Sequence, residues 1–315
     1  MYTILKPIIR LALFFYNKNI HIHFDKRTGC NEPKIIASNH PNSFFDAIII
    51  AVFYPRPIYF LARGDAFKKP FISKLLKALH LIPIYRISEG RNNLVKNNAT
   101  FKHCIELLKQ GETILIFSEG ICVNEWKLRS LKKGTARLAL MALQEGIYKI
   151  EIQPTTINYS SFNVVPKNIQ VHFNEAFKAN GILYSKETDF YSQFNIKLKK
   201  GIEKKLITNK NHPDLQEITS YKNKTLQKLL LSLPAFIGWF TQKWFYNSIK
   251  KWVSKKTNDT VFYDSVLFGM LLLTYPIFIT LCTILFGIVF DYKIGLIVLF
   301  SIPVSGYCYK WYRSI

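Results

Sequence analysis

The chain has 315 residues and a formal net charge of +23; 49% of its residues are hydrophobic and 15% aromatic. That composition excludes a disordered chain, and the length allows one sizeable core with an appendage. The basic excess suits nucleic acid, anionic lipid headgroups or acidic substrates without choosing between them, and Cys30, Cys104, Cys122, Cys282 and Cys308 form no C-x-x-C pair, so neither a zinc motif nor a disulfide framework is expected.

In chain order, residues 1–20, MYTILKPIIRLALFFYNKNI, are apolar with basic punctuation. Arg10 interrupts the apolar core and no small-x-small site follows, so a helix lying on a membrane is expected rather than a signal peptide. From 21 to 220 short apolar runs alternate with amphipathic ones. NIHIHF, PKIIASN, PIYFLA, LIPIY, TILIFSE, IEIQPTTINY and NIQVHF read as strands, and 43–53, 66–79, 92–110 and 133–145 as helices. In 92–110 the apolar positions Leu94, Val95, Ala99, Phe101, Ile105 and Leu108 follow the helical period, and Gly111 is placed to close the helix. This alternation predicts an α/β domain with a mixed, largely parallel sheet flanked by helices. The polar, Lys-rich stretch 199–224 reads as a linker.

The segment 221–260 holds eight lysines and no acid between 222 and 256, with Trp239, Trp244 and Trp252 among them. Lysines interleaved with large rings suit a membrane interface, where rings sit at headgroup depth and ammonium groups meet anionic lipid. The same mix could bind single-stranded nucleic acid, but the neighbouring apolar segments favour lipid. Residues 261–315 contain two such segments. The first, 265–290, carries no charge and would reach about 39 Å as a helix at roughly 1.5 Å per residue, enough for a ~30 Å hydrocarbon core. After Asp291-Tyr292-Lys293 comes IGLIVLFSIPVSGYCY, 294–309. The pair reads as a transmembrane hairpin, and Lys and Arg at its outer ends place the bulk of the chain on the cytoplasmic side of an inner membrane.

Functional groups in α/β folds gather where strands end. One predicted strand runs into SNHPNSFFDA, 38–47. His40 there could take a proton from a hydroxyl, with Asp46 the nearest acid to fix its other ring nitrogen, or it could be a turn histidine capping a helix. Asn-His-Pro recurs in the Asn-His-Pro-Asp of 211–214 with no apolar helix behind it, so the tripeptide alone decides nothing. A second strand ends in Ser118-Glu119-Gly120-Ile121-Cys122, where a glycine allows close approach to the backbone and a carboxylate could meet substrate hydroxyls. A third ends at Arg86, a guanidinium suited to an anionic headgroup. His21 and His23 share one face of a strand with no third metal ligand near them in sequence.

As a set, NHPNSFFD, LIPIYR, IFSEG, KKGTARLAL and IQPTTI resemble, in order and spacing, the glycerolipid acyltransferase family of the bacterial lysophosphatidate acyltransferase type, over about residues 20–175. The resemblance implies a glycerol-3-phosphate acyltransferase-like fold. It also implies transfer of a fatty acyl group from acyl-CoA or acyl carrier protein to a lysolipid or glycerol phosphate hydroxyl, with no metal or redox cofactor. The family's NH-x4-D motif implies His40 as base and Asp46 as its orienter. Arg86, Glu119 and Gly120 match motif positions on the acceptor side, where Lys133 is a further candidate of this sequence's own, and Pro154 matches the fourth motif. Three departures stand out. Five residues rather than four separate His40 from Asp46, which on a continuous helix would rotate the carboxylate away by about 100°, unless Pro41-Asn42-Ser43 absorb the addition in the turn. The Thr and Arg of the family's F-P-E-G-T-R become Ile121 and Cys122, so either Lys127, Arg129, Lys132 or Lys133 supplies the missing charge or the acceptor is not a phosphomonoester. Its proline becomes Ser118. The acceptor is therefore open between lysophosphatidate, glycerol 3-phosphate, a lysophospholipid and a lyso-aminolipid. A membrane-tethered lipid-binding protein without turnover is the alternative of another class, and no nucleic-acid partner is expected.

Overall fold

The computed structural model describes residues 2–25, 32–85, 96–209, 212–216, 224–258 and 260–313. In chain order these form α1 (Tyr2–Tyr16), β1 (Asn19–Phe24), β2 (Lys34–Ser38), α2 (Ser43–Phe53), β3 (Ile58–Arg63), α3 (Pro70–Ala78), β4 (Leu81–Ile84), α4 (Lys96–Lys109), β5 (Thr113–Phe117), α5 (Gly134–Gln144), β6 (Glu151–Tyr159), β7 (Asn168–Phe173), β8 (Phe177–Lys178), α6 (Glu187–Glu203), α7 (Pro213–Gln216), α8 (Lys224–Thr257), α9 (Tyr263–Val289) and α10 (Tyr292–Tyr312). Two compact units result. One holds residues 1–10, 21–158 and 169–210, the other 11–20, 159–168 and 211–315.

The first unit is built on a mixed, mostly parallel sheet in the order β1-β7-β6-β2-β5-β3-β4, with β8 beside β6. β2 lies parallel to both β5 and β6, and β3 parallel to β4 and β5, while β8 runs antiparallel to β6. Central strands of this kind are apolar on both faces, and β2 and β6 are buried at every position. Ile35, Ile114, Ile116 and Ile152 join one core cluster with Phe101, Cys104 and Leu108 of α4, Leu138 and Leu140 of α5, and Phe190, Phe194, Leu198 and Ile202 of α6. Strand alternation sends Ile36 and Leu115 to the other face, and α2 buries Phe45, Ile49 and Ile50 outside that cluster.

Turn chemistry sets the ends of the helices. α4 closes at Gly111, whose φ of 79° is the left-handed value that glycine adopts freely. The Gly111 N–H donates to Leu108 and the Glu112 N–H to Leu107, a Schellman closure. α2 stops because Tyr54 is extended ahead of Pro55. The expected linker at 199–224 is corrected at its start: α6 continues to Glu203, because Phe190, Phe194, Leu198 and Ile202 form a buried stripe at four-residue spacing. The helix expected over 66–79 is shorter, a single 3₁₀ turn at Gly64–Phe67 followed by α3. Of the helix expected over 92–110, residues 92–95 lie outside the described residues.

In the second unit α8, α9 and α10 pack together. A Cβ on Gly238 would collide with the Ser305 carbonyl, so glycine allows α8 to approach α10 closely. Gln242 donates to the Ile302 carbonyl at 2.6 Å and accepts from the Tyr275 hydroxyl at 2.7 Å, and Phe245 stacks on Phe278. At the start of α9 the buried Asp264 accepts from the Tyr16 hydroxyl and from the Lys167 ammonium, each at 2.6 Å. The helices α9 and α10, 27 and 21 residues long, are long and apolar enough to cross a membrane.

Candidate active site

The parallel register of β2 and β5 builds the site. Ser38 pairs with Phe117, so the chain after each strand emerges at the same edge of the sheet, bringing residues 39–46 beside 118–122. On the other side of β2, Asn39 holds its turn against β6: its Oδ1 accepts from the Ile157 N–H and its Nδ2 donates to the Ile157 carbonyl, both at 2.9 Å. The side chain thus extends the strand pairing past the end of β2.

His40 leaves this clamp with its ring 3.8 Å from the Phe117 ring, centroid to centroid, and nearly parallel to it. Its Nδ1 lies 2.9 Å from Asp46 Oδ2, and the same oxygen accepts from the Asn42 N–H at 2.8 Å. The Asp46 side chain is fully buried, and that of His40 is 14% exposed. The extra residue between them is absorbed outside the helix. α2 begins only at Ser43, with Asn42 as its N-cap, and Ser43 has a φ of 53°, a left-handed conformation uncommon for a residue with a Cβ. Asp46 therefore lies in the first turn of α2, where a carboxylate complements the helix dipole and faces back toward the imidazole.

Glu119 is buried and couples the two loops. Its Oε1 accepts from the His40 N–H at 2.9 Å and its Oε2 from the Arg129 N–H at 3.3 Å. Burial raises its carboxyl above the ordinary carboxylate range, against the two N–H donors, which lower it. Gly120 follows at a φ of +69°, and a Cβ there would meet Lys132 Cγ at 3.1 Å, so the lysine stem lies across the glycine. Ser118 ties this loop to α5 through a 2.9 Å hydroxyl bond to Thr135, and its carbonyl accepts from the Lys132 N–H.

Of the basic residues just downstream, Lys127 and Arg129 both pair with Glu125. Lys132 and Lys133 are exposed, with Lys133 at the N-cap of α5. Cys122 stands beside the turn: the Ser43 N–H donates to its Sγ at 2.8 Å. One ligand atom each from His40, Asp46 and Cys122 lie within 4.8 Å of one another, a group that could hold a metal ion.

The structure thus brings together His40, Asp46, Glu119 and Gly120. Arg86 lies outside the described residues. Pro154 is buried in β6 opposite Ala37, where a Cβ on Gly201 of α6 would strike its ring; it serves the packing of α6 on the sheet. His23 stacks on His172 at 4.4 Å, and Pro213 and Asp214, after the second histidine of this kind, His212, begin the short α7. Sequence reasoning did not assign Asn39, Phe117 or Cys122. The first adjoins the histidine in the sequence, but the two others come to it only through the β2–β5 register.

Residues 19–158 match the family model described as Acyltransferase. The 1-acyl-sn-glycerol-3-phosphate acyltransferase of Bacillus subtilis (strain 168) is 31% identical over 108 residues, 34% of this chain and 49% of that protein. The chloroplastic 1-acyl-sn-glycerol-3-phosphate acyltransferase LPAT1 of Arabidopsis thaliana is 28% identical over 125 residues, 40% of this chain and 33% of that protein. This chain thus spans between a third and a half of the length of these curated relatives. Among solved structures, the 1-acyl-sn-glycerophosphate (LPA) acyltransferase PlsC from Thermotoga maritima is 18% identical, with a TM-score of 0.48 over 64% of this chain and 78% of that one. His40, Asp46, Glu119 and Cys122 all lie within residues 19–158, the stretch that matches the acyltransferase family model.

Proposed function

We propose that the protein is a membrane-bound O-acyltransferase of phospholipid biosynthesis. It moves a fatty acyl group from a thioester donor, acyl-CoA or acyl carrier protein, to the hydroxyl of a lysophosphatidate-like acceptor. The observation that carries this reading is the 2.9 Å contact between His40 Nδ1 and Asp46. A carboxylate on Nδ1 holds the proton there and leaves Nε2 as the basic nitrogen. His40 removes the proton of the acceptor hydroxyl as its oxygen attacks the thioester carbonyl. Asp46 stabilises the imidazolium so formed. The tetrahedral intermediate then expels the donor thiolate, which takes the proton back from His40. Each proton returns to its own balance, and no metal or redox cofactor enters.

Glu119 acts in this scheme by holding the His40 and Arg129 backbones, and Gly120 lets Lys132 lie over the loop. Lys132, together with Lys133 and Arg86, is our assignment for the anionic headgroup. The relatives' names point to lysophosphatidate as acceptor; glycerol 3-phosphate, a lysophospholipid or a lyso-aminolipid would use the same base. A lipid-binding protein without turnover would be favoured by an Asp46 beyond reach of His40, and the distance argues against it.

Apolar surfaces support work at a bilayer. α3 has no buried residue, and its Phe71 is 81% exposed beside exposed Ile72 and Leu75, with Lys68, Lys69, Lys74 and Lys77 around them. α1 exposes Ile4, Ile8, Leu11 and Phe14 at helical spacing. With the α9–α10 hairpin crossing the inner membrane, the catalytic domain faces the cytoplasm, where acyl-CoA and acyl carrier protein reside.

The test is acyl transfer by purified wild type and His40→Ala in liposomes. Both donors are offered with lysophosphatidate, glycerol 3-phosphate, a lysophospholipid and a lyso-aminolipid, and lysolipid binding is measured in parallel. Transfer by wild type, lost in His40→Ala while binding remains, is expected. Binding without transfer to any acceptor by wild type would refute the enzyme reading and favour the tethered lipid-binding protein.

A further inference from the structure

We propose that a soft divalent cation, with Zn²⁺ as the representative, binds across His40, Asp46 and Cys122 and shuts off acyl transfer. Imidazole, carboxylate and thiol are three donors that zinc accepts, and zinc sites with three protein ligands leave a fourth position open. Ligand atoms about 2.0–2.3 Å from a tetrahedral zinc lie about 3.3–3.7 Å apart, so atoms that already lie within 4.8 Å of one another close onto an ion by side-chain shifts of about 1 Å.

The arrangement is a compact triangle. A nucleophile–base–carboxylate relay needs the imidazole between thiol and carboxylate, with those two far apart. Here Cys122 approaches both the histidine and the carboxylate, which suits a shared ion better than a relay. The surroundings also favour negative charge. The Ser43 N–H donates to Cys122 Sγ and the Asn42 N–H to Asp46 Oδ2, both at the positive end of α2. A thiolate in the set selects zinc, cobalt, cadmium or copper over magnesium and calcium. Cys122 is only part-buried, so the ion can enter.

The inhibitory half of this proposal rests on the reading of His40 as the base. A ring nitrogen bound to metal accepts no proton, and an Asp46 drawn to the ion no longer orients the ring. The metal-binding half stands independently of activity.

The experiment uses the whole 315-residue chain in detergent, stripped of metal. Cobalt is added first, because a thiolate ligand gives Co²⁺ a charge-transfer absorption in the near ultraviolet; zinc then displaces it, and zinc stoichiometry is taken by equilibrium dialysis. We expect the band and one zinc per chain in wild type and in the thiol control Cys308→Ser, and loss of the band in Cys122→Ser. Loss of a metal ligand's mere partner costs about 10–100-fold in affinity, so zinc should bind Cys122→Ser at least about tenfold more weakly. His40→Gln should weaken it comparably with the fold intact by circular dichroism. In the transfer assay, zinc should inhibit wild type at the concentrations that fill the site. Cys122→Ser, normalised to its own metal-free rate, should need at least about tenfold more. A band that persists in Cys122→Ser, or no uptake by wild type, overturns the site. Stoichiometric zinc that leaves the rate unchanged overturns the inhibition. A wild type that shows the band and transfers to no acceptor leaves the metal site standing and refutes the proposed function instead.

Discussion

Replacing Asp46 with asparagine removes a charge and preserves the shape around it. One oxygen, Oδ2, accepts from both His40 Nδ1 at 2.9 Å and the Asn42 N–H at 2.8 Å, so the single carbonyl oxygen of an asparagine can take both bonds and keep the turn folded. What is lost is the attraction between carboxylate and imidazolium. Two unit charges about 4 Å apart at an effective dielectric of about 20 attract by about 4 kcal/mol, and hydrogen bonds to charged groups are worth about 1.5–3 kcal/mol. With Asp46 fully buried and the ring 14% exposed, the loss falls between these figures. The imidazolium exists only once the proton moves, so the whole loss appears in the transition state. At about 1.36 kcal/mol per decade, kcat should fall between about 10-fold and about 1,000-fold, and KM should stay near its wild-type value. Steady-state transfer at saturating donor measures this, with a thermal melt alongside. A folded Asp46→Asn with kcat within about threefold of wild type would refute the reasoning.

Further substitutions probe the support of the site and the second unit. Burial raises the Glu119 carboxyl, so the folded chain holds that proton more tightly than the unfolded one; its contribution to stability is complete below about pH 4.3 and is lost as pH rises through the raised folded value. Glu119→Gln should remove that slope in unfolding midpoints taken across pH, at a cost of about 1–3 kcal/mol for the N–H it leaves without an acceptor; an unchanged slope contradicts the assignment. At Ser43, with its φ of 53°, Ser43→Gly should be close to neutral, whereas Ser43→Val should cost on the order of 1–2 kcal/mol and depress kcat; equal melting temperatures would argue against a strained turn. In the second unit, Lys167→Met leaves the buried Asp264 without its ammonium partner and should cost about 3–5 kcal/mol. Adding Asp264→Asn should recover part of that, because a neutral amide still accepts from Tyr16, and a double variant no more stable than the single one would dismiss the charge argument.

Much of the architecture is legible in the sequence because each strand is a short, β-branched run bounded by turn residues, and each helix between them keeps its own period. β1 through β7 coincide with the seven runs read as strands to within two residues at their ends. The failures have physical causes. α6 hides because its buried stripe is only one residue in four and polar residues, Lys197, Lys199 and Lys200 toward its end among them, fill most of the positions between. β8 has two residues, too few for any alternation to show. The site is legible by halves. His40 and Asp46 belong to one local segment, and a resemblance can name them together. Which backbone groups Glu119 satisfies, and that Phe117 lies under the imidazole, depend on β2 and β5 being neighbours in register, a contact between positions some 80 residues apart in the chain.

The same dependence on register explains why two departures from the family's motifs belong together. Read singly, the added residue before Asp46 and the cysteine in place of an arginine each weaken the resemblance. In space they meet. The added residue is taken up by placing Ser43 at positive φ, and this leaves the Ser43 N–H directed at position 122, where it donates to Cys122 Sγ. A guanidinium at that position carries donors only and could not accept it, leaving a backbone N–H opposed by other N–H groups at the helix terminus. Sulfur accepts the bond, stays compact beside the fully buried Asp46, and leaves the His40–Asp46 contact at ordinary length. The longer spacing and the lost arginine are therefore one coupled solution. On the loop's other side Lys132, assigned to the anionic headgroup under the proposed function, lies across Gly120.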